Sequence, residues 1–337
     1  MIRAAIVGMG WWGRTLVDAA RGKSAAIRFT AAQTRTRATA EAFCAERGIR
    51  LYDDLASLLA DPEIDAIVFT TPHSEHGAQV ERAAAAGKHV FMEKPFTLDV
   101  RSATAALDAA ARAGVQLGVG FHRRFHPGTL ELKARVADGR LGTIVHCYGE
   151  QNAPAGLFMA PGSWRADRRE APAGGMTALG VHNLDAMIHL FGEIDEVYAS
   201  SLRRAAKYDA EDTTGVMLGF RNGMSGTLVC SLVTAVSYRL AVFGSAGCAE
   251  LVTPELDFRF SAAPAAMPAG RYSAAAPEII EQRGYNGLLA ELEAFAGAIE
   301  GGPAYPIPLD QIVHGVAAFE AIVRSAASRK PVKVEQG

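Results

Sequence analysis

Short apolar runs and helical stretches alternate over roughly the first third of the chain. AAIVG, IRFTAAQ, AIVFTTP and KHVFMEKP read as strands, and helical spacing falls between them around residues 12–21, 38–47 and 75–86. A further helix around 101–113 leads to VQLGVGF, which fits a sixth strand. Such alternation predicts βαβ units and a parallel sheet. Beyond His122 the pattern changes. After a helix near 127–138 come TIVHCYGEQ, DEVYASSL, TTGVMLGF, MSGTLVCSLV, SYRLAVFG and CAELV, several in strict apolar/polar order, as an antiparallel sheet with one covered face requires. Asn222-Gly223 is the expected hairpin turn between two of them. Two closing helices, 286–300 and 309–328, carry apolar residues at helical spacing and are expected to pack on that sheet or back on the first domain.

The chain has 337 residues, more than one hydrophobic core usually serves, which supports two domains: 1–122 and 123–337. Hydrophobic residues make up 49% and charged residues 21%, within the range of globular proteins. A formal net charge of −2 offers no field for nucleic acid or an anionic membrane, so small molecules are the expected partners. The first apolar run, from Ala4 to Val7, is too short for a signal-peptide core, and no later run is long enough to cross a bilayer; the expected location is cytoplasmic. Cys44, Cys147, Cys230 and Cys248 are scattered, with no metal-ligand spacing, and are expected to be reduced and mostly buried. No metal is called for.

Gly8-Met9-Gly10-Trp11-Trp12-Gly13 is a G-x-G-x-x-G that directly follows a strand and opens a helix. In that context the glycines permit a tight turn and close backbone approach, and the helix N-terminus aims its free N–H groups at a pyrophosphate. The first domain is therefore expected to be an α/β Rossmann domain, followed by an α+β domain with a large, mostly antiparallel open sheet. At the end of the second strand, where NAD enzymes present an acid to the ribose, the chain reads Ala32-Gln33-Thr34-Arg35-Thr36-Arg37. With no carboxylate to repel a 2′-phosphate, and with Thr34 and Arg35 or Arg37 to receive one, NADP is favoured and NAD stays open.

A later strand ends in Glu93-Lys94-Pro95, at the sheet edge where Rossmann ligands bind. Together with the glycine loop, this stretch resembles the glucose-fructose oxidoreductase, inositol dehydrogenase and rhizopine-catabolism family, Gfo/Idh/MocA. The resemblance implies that Glu93 reaches the nicotinamide ribose, that Lys94 reaches the substrate, and that a cis peptide bond precedes Pro95. It extends over nearly the whole chain. The run from Thr70 to His76 resembles the cofactor-side loop, which implies cofactor roles for Thr71, Pro72 and His76; Trp11 and Trp12 of the glycine loop join them. The stretch from Gly120 to Phe125 resembles the crossover between domains, in which Arg124 would line the substrate site. Trp164 and Arg165 resemble a segment that approaches the nicotinamide, while Arg168 and Arg169 read as surface charge.

His182 and Asp185 are three apart at the start of a helix and share one face. The family's pattern there is D-x-x-x-H-x-x-D, and this chain has Ala178 in place of the first acid. The mechanism implied is reversible oxidation of a secondary alcohol on a sugar, inositol or related cyclic polyol. Lys94 takes the hydroxyl proton, with His182 the other candidate, and Arg124, His182 and Asp185 bind substrate. Two alternatives remain open: a cofactor-binding regulator without turnover, and a redox-cycling glycoside-cleaving enzyme. Val216, Leu218, Leu228 and Val242 are more apolar positions than one sheet face needs, which predicts a homodimer or homotetramer through the second sheet.

Overall fold

The computed structural model describes residues 1–160, 162–253, 255–264 and 276–335. Two compact units divide the chain: Met1–His122 with Asn286–Val316, and Arg123–Tyr285 with the segment beginning at Ala317.

In the first unit, six parallel strands take the order β3-β2-β1-β4-β5-β6: β1 (Ile2–Val7), β2 (Ile27–Gln33), β3 (Arg50–Tyr52), β4 (Ala66–Phe69), β5 (His89–Glu93) and β6 (Leu117–Gly120). Both faces are covered, so the strands read as unbroken apolar runs; all four residues of β4 are buried. Helices α1 (Trp11–Ala20), α2 (Glu41–Arg47), α3 (Leu55–Leu59), α4 (His76–Ala85) and α5 (Val100–Ala113) make the connections. Asp54 and Asp99 cap α3 and α5 by accepting from Ser57 N and Ser102 N. The order reverses between β1 and β4, the switch point at which such sheets receive ligands. Helix α8 (Gly287–Ile299), N-capped by Asn286, returns to this unit. Its Phe295 packs edge-on to Phe91 at 5.5 Å, and nearby Tyr305 donates to the carbonyl of Val119 at 2.9 Å.

The second unit is built on nine strands: β7 (Ile144–Asn152), β8 (Ile194–Leu202), β9 (Thr213–Phe220), β10 (Ser225–Ser231), β11 (Ser237–Gly244), β12 (Gly247–Val252), β13 (Asp257–Ala262), β14 (Glu278–Ile280) and β15 (Val332–Lys333). Their order is β14-β13-β12-β11-β7-β10-β9-β8-β15. Neighbours are antiparallel except β7 and β10, which run parallel. The turn at Asn222-Gly223 is present, with Gly223 at φ +86°, a left-handed value that suits glycine.

Helix α7 (Val181–Phe191) covers one face of this sheet, and Gly149 on β7 is what lets it approach, since a Cβ there would lie 2.7 Å from Met187 Cε. Helix α6 (Pro127–Ala137) also belongs to this unit, and the division between the units falls within α9 (Leu309–Ser328), after Val316. The four residues expected to supply a second apolar face lie instead on the covered one: Val216, Leu218, Leu228 and Val242 are all buried. Alternation fixes that two faces differ; the side on which α7 lands decides which is the core. The opposite face exposes Met217 (64%) and, beside it in register, Tyr198 (42%). Among the described residues no helix is long and apolar enough to cross a membrane, and the four cysteines are free, three of them buried.

Candidate active site

In the first unit the site begins at the glycine turn between β1 and α1. Gly8 sits at φ +98°, and a Cβ there would come within 2.6 Å of the carbonyl oxygen of Thr70. A Cβ at Gly13 would collide with the carbonyl oxygen of Gly8 and lie 2.9 Å from Thr70 Oγ1. Gly10 differs. A Cβ at that position would meet nothing within 4 Å among the described residues. The outer two glycines let backbones meet, and the middle one opens onto free space in front of α1. Among the described residues no side chain caps that helix, and no acid stands in its first turn, so its leading N–H groups are available to an anion. This is the shape a pyrophosphate needs. Trp11 is 76% exposed at the entrance, while Trp12 packs tilted against His122 at 6.0 Å with its indole Nε1 buried.

Thr34 and Arg35 follow directly on β2, whose Gln33 carbonyl accepts from Gly8 N at 2.9 Å, so both stand beside the glycine turn. Arg37 is otherwise engaged: it pairs with Asp53 at 2.6 Å and Glu41 at 3.2 Å and donates to the carbonyl of Leu51. Arg35 is exposed and makes no ion pair among the described residues.

The loop after β4 is locked from below. Thr70 donates to the carbonyl of Gly8, and Thr71 donates to Gln79 Oε1 at 2.6 Å. His76 is buried, with Nδ1 2.9 Å from the carbonyl oxygen of Pro95 and Nε2 3.2 Å from that of Thr71. Its ring therefore ties the Thr71-Pro72 loop to the turn after β5. That arrangement fixes the loop backbone and leaves neither ring nitrogen turned outward. At the end of β5, Glu93 is buried and Lys94 half-buried, and the Lys94–Pro95 bond is cis.

In the second unit, Arg124 and Asp185 form a two-pronged ion pair with contacts of 2.8 and 2.7 Å, their side chains only 3% and 7% exposed. Burial raises the Asp185 carboxyl above its usual value, against the pull of Arg124. His189, one turn further along α7, meets another edge of the guanidinium: its Nδ1 lies 3.0 Å from Arg124 Nη1. Burial, then the charges of Arg124 and Lys133, push its imidazole down to about 3, so it stays neutral and accepts. Sequence reasoning missed His189, although its spacing of four from Asp185 was a usable signal. His182 is buried on the first turn of the same helix. Ala178 lies in a π-helical turn, Met176–Gly180, that leads into α7. Trp164 and Arg165 stack on each other, the guanidinium 4.1 Å from the ring. Arg168 pairs with Glu211 and Arg169 with Asp167, as surface charges do.

Comparison with known proteins agrees with this geometry. A family model described as an oxidoreductase family with an NAD-binding Rossmann fold matches residues 2–121, and one for the GFO/IDH/MocA C-terminal domain matches 129–250. An uncharacterised oxidoreductase of Rhizobium meliloti is 30% identical over 298 residues, covering 87% of this chain and 86% of its own. Inositol 2-dehydrogenase of Rhizobium meliloti strain 1021 is 27% identical over 342 residues, 99% of each chain. The aldose-aldose oxidoreductase of Caulobacter crescentus, solved with glycerol, superposes with a TM-score of 0.84 at 25% identity, covering 98% of this chain and 99% of that one. Of three further curated relatives the chain spans between 47% and 60% of the length.

Proposed function

The chain belongs to the Gfo/Idh/MocA family of oxidoreductases, and from that premise we propose that it interconverts a secondary alcohol and a ketone on a sugar, inositol or related cyclic polyol. The observation that carries the reading is the open space in front of Gly10, framed by two glycines that no side chain could replace, at the uncapped start of α1. It fits a nicotinamide dinucleotide, which when bound supplies the carbon that accepts or returns hydride. Gly8, Gly10, Gly13 and the leading amides of α1 hold the pyrophosphate, and Glu93 accepts from the nicotinamide ribose. The substrate class is supported by the full-length likeness to an inositol 2-dehydrogenase.

Lys94, half-buried beside Glu93, takes the hydroxyl proton as the alcohol is oxidised and gives it back in the reverse direction. His182 is the second candidate for that proton. Asp185 and Arg124 satisfy each other so fully that we assign them the fixing of α7's polar face, on which His182 stands, rather than a direct grip on substrate. NADP is favoured over NAD because β2 ends without a carboxylate and Arg35 is left available beside the glycine turn. A second copy of this chain is the expected partner, through the sheet face that exposes Tyr198 and Met217.

Replacing Lys94 with Met, which keeps the length and removes the charge, should abolish turnover on a panel of sugars and cyclic polyols followed by nicotinamide absorbance. Cofactor affinity should stay within about twofold of wild type, since uniform binding is untouched. Undiminished turnover in the variant would sink the assignment, and a wild type that binds cofactor yet turns over no member of the panel would favour a regulator.

A further inference from the structure

Helix α8 packs Phe295 against Phe91 of β5, and the same helix face carries a carboxyl group with no role in the chemistry so far. Phe91 and Glu93 are two apart on β5, Gly118 and Gly120 two apart on β6, and the register sets Phe91 beside Gly118 and Glu93 beside Gly120. On α8, Glu291 and Phe295 are four apart and share a face. Phe295 packs on Phe91, and a Cβ at Gly118 would lie 3.0 Å from its ring. One turn earlier, Glu291 is wholly buried, and the charge that acts on it is that of Glu93. Neither carboxyl oxygen of Glu291 has a hydrogen-bond partner among the described residues. Glu93 Oε2 accepts from the Lys94 N–H at 3.2 Å, and Oε1 sits where a Cβ at Gly120 would come within 2.8 Å, so glycine at 120 gives it room.

Two neighbouring carboxylates in a buried site do not both ionise, because each charge disfavours the other and burial disfavours both. We propose that Glu291 carries a proton and donates it to Glu93, so that the pair bears one negative charge at the end of β5 and holds the Glu93 carboxylate in place for the nicotinamide ribose. Glu291 is on this account a positioning residue, and the inference rests on the cofactor reading above. Burial first, and the charge of Glu93 second, raise the Glu291 carboxyl well above its ordinary value of 4.5. The folded chain thus binds a proton that the unfolded chain releases above that pH. Stability from this group is complete below about 4.5 and declines as pH rises toward the raised value.

The test uses the full chain without substrate and two variants. Glu291→Gln keeps a donor and cannot ionise; Glu291→Leu keeps bulk and has no donor. NADPH affinity, read by nicotinamide fluorescence, is expected to stay within about twofold of wild type for Gln and to weaken more than about tenfold for Leu. The Gln variant should also lose the decline of melting temperature with rising pH. A Leu variant that binds like wild type overturns the proposal. If the Leu variant does not fold, the infrared spectrum decides: a protonated-carboxyl stretch present in the wild type and missing in Glu291→Gln supports the assignment, and its absence from the wild type overturns it. A wild type that binds no NADPH refutes the cofactor reading alone, because the infrared band still reports the proton.

Discussion

Alanine at Gly10 and alanine at Gly13 should fail in opposite ways, and the contrast follows from where each added methyl would go. At Gly10 the backbone has φ −70° and ψ −173°, which any L residue adopts, and among the described residues the new Cβ meets nothing within 4 Å. Restricting the unfolded chain favours alanine by about 0.4–1 kcal/mol. Gly10 is also the N-cap of α1, where alanine is the poorer residue by a similar amount, roughly 0.5–1 kcal/mol. The two effects nearly cancel, so unfolding free energy should move by less than about 0.5 kcal/mol. The methyl would, however, stand in the space assigned to the pyrophosphate. Overpacking of a fitted site costs about 1–3 kcal/mol, which is about five- to more than a hundredfold in dissociation constant. At Gly13 the methyl runs into a backbone carbonyl that has nowhere to go, and the fold itself should lose about 1–3 kcal/mol. Urea unfolding and calorimetric titration with NADP and NAD on the three proteins are the assay. An intact affinity in Gly10→Ala would refute the placement of the phosphates, and a large stability loss there would refute the geometry.

Two further outcomes are expected. Arg35→Ala should weaken NADP by about ten- to more than a hundredfold, the worth of a charge-assisted hydrogen bond of roughly 1.5–3 kcal/mol, and leave NAD nearly unchanged; equal losses for both would mean that Arg35 only supports the loop. His189 titrates near 3 in the folded chain against 6.5 unfolded, so the unfolded state takes up the proton first on acidification. Stability should therefore fall between about pH 6.5 and 3, and His189→Asn should flatten that limb of the profile; an unchanged slope would contradict the buried, neutral ring.

What the sequence disclosed and what it withheld divide along a physical line. The glycine turn, the Glu93-Lys94-Pro95 corner and the long strands announce themselves because their chemistry is local: glycine where a backbone must approach, apolar runs where both faces are covered. The helices expected at 309–328 and 286–300 are present to within a residue at each end, the second held by the Asn286 cap. The three-residue β3, the five-residue α3 and the short strands β14 and β15 carry too few positions to show a period. Nor could alternation tell that Val216 and Leu218 face α7. The packing of Phe295 on Phe91 is the strongest case: about two hundred positions separate them, and only the return of α8 to the first unit brings them together. Likewise, the sequence places Arg124 and Asp185 apart, and only the fold shows Asp185 and His189 meeting its guanidinium.

The return of Asn286–Val316 to the first unit has a bearing on how the protein is made. As the chain leaves the ribosome, the strands of the parallel sheet emerge first, yet the surface of Phe91 and Gly118 stays bare until Phe295 and Tyr305 arrive to cover it. Synthesis of residues 123–285 intervenes, on the order of ten seconds or more at ordinary elongation rates. During that interval the nascent cofactor domain is a layered sheet with one flank open and sticky, an object that chaperones bind and proteases cut. A gene fragment ending at His122 would freeze that stage permanently, and so would a natural truncation. For this architecture, the last sixth of the message completes what the first third begins.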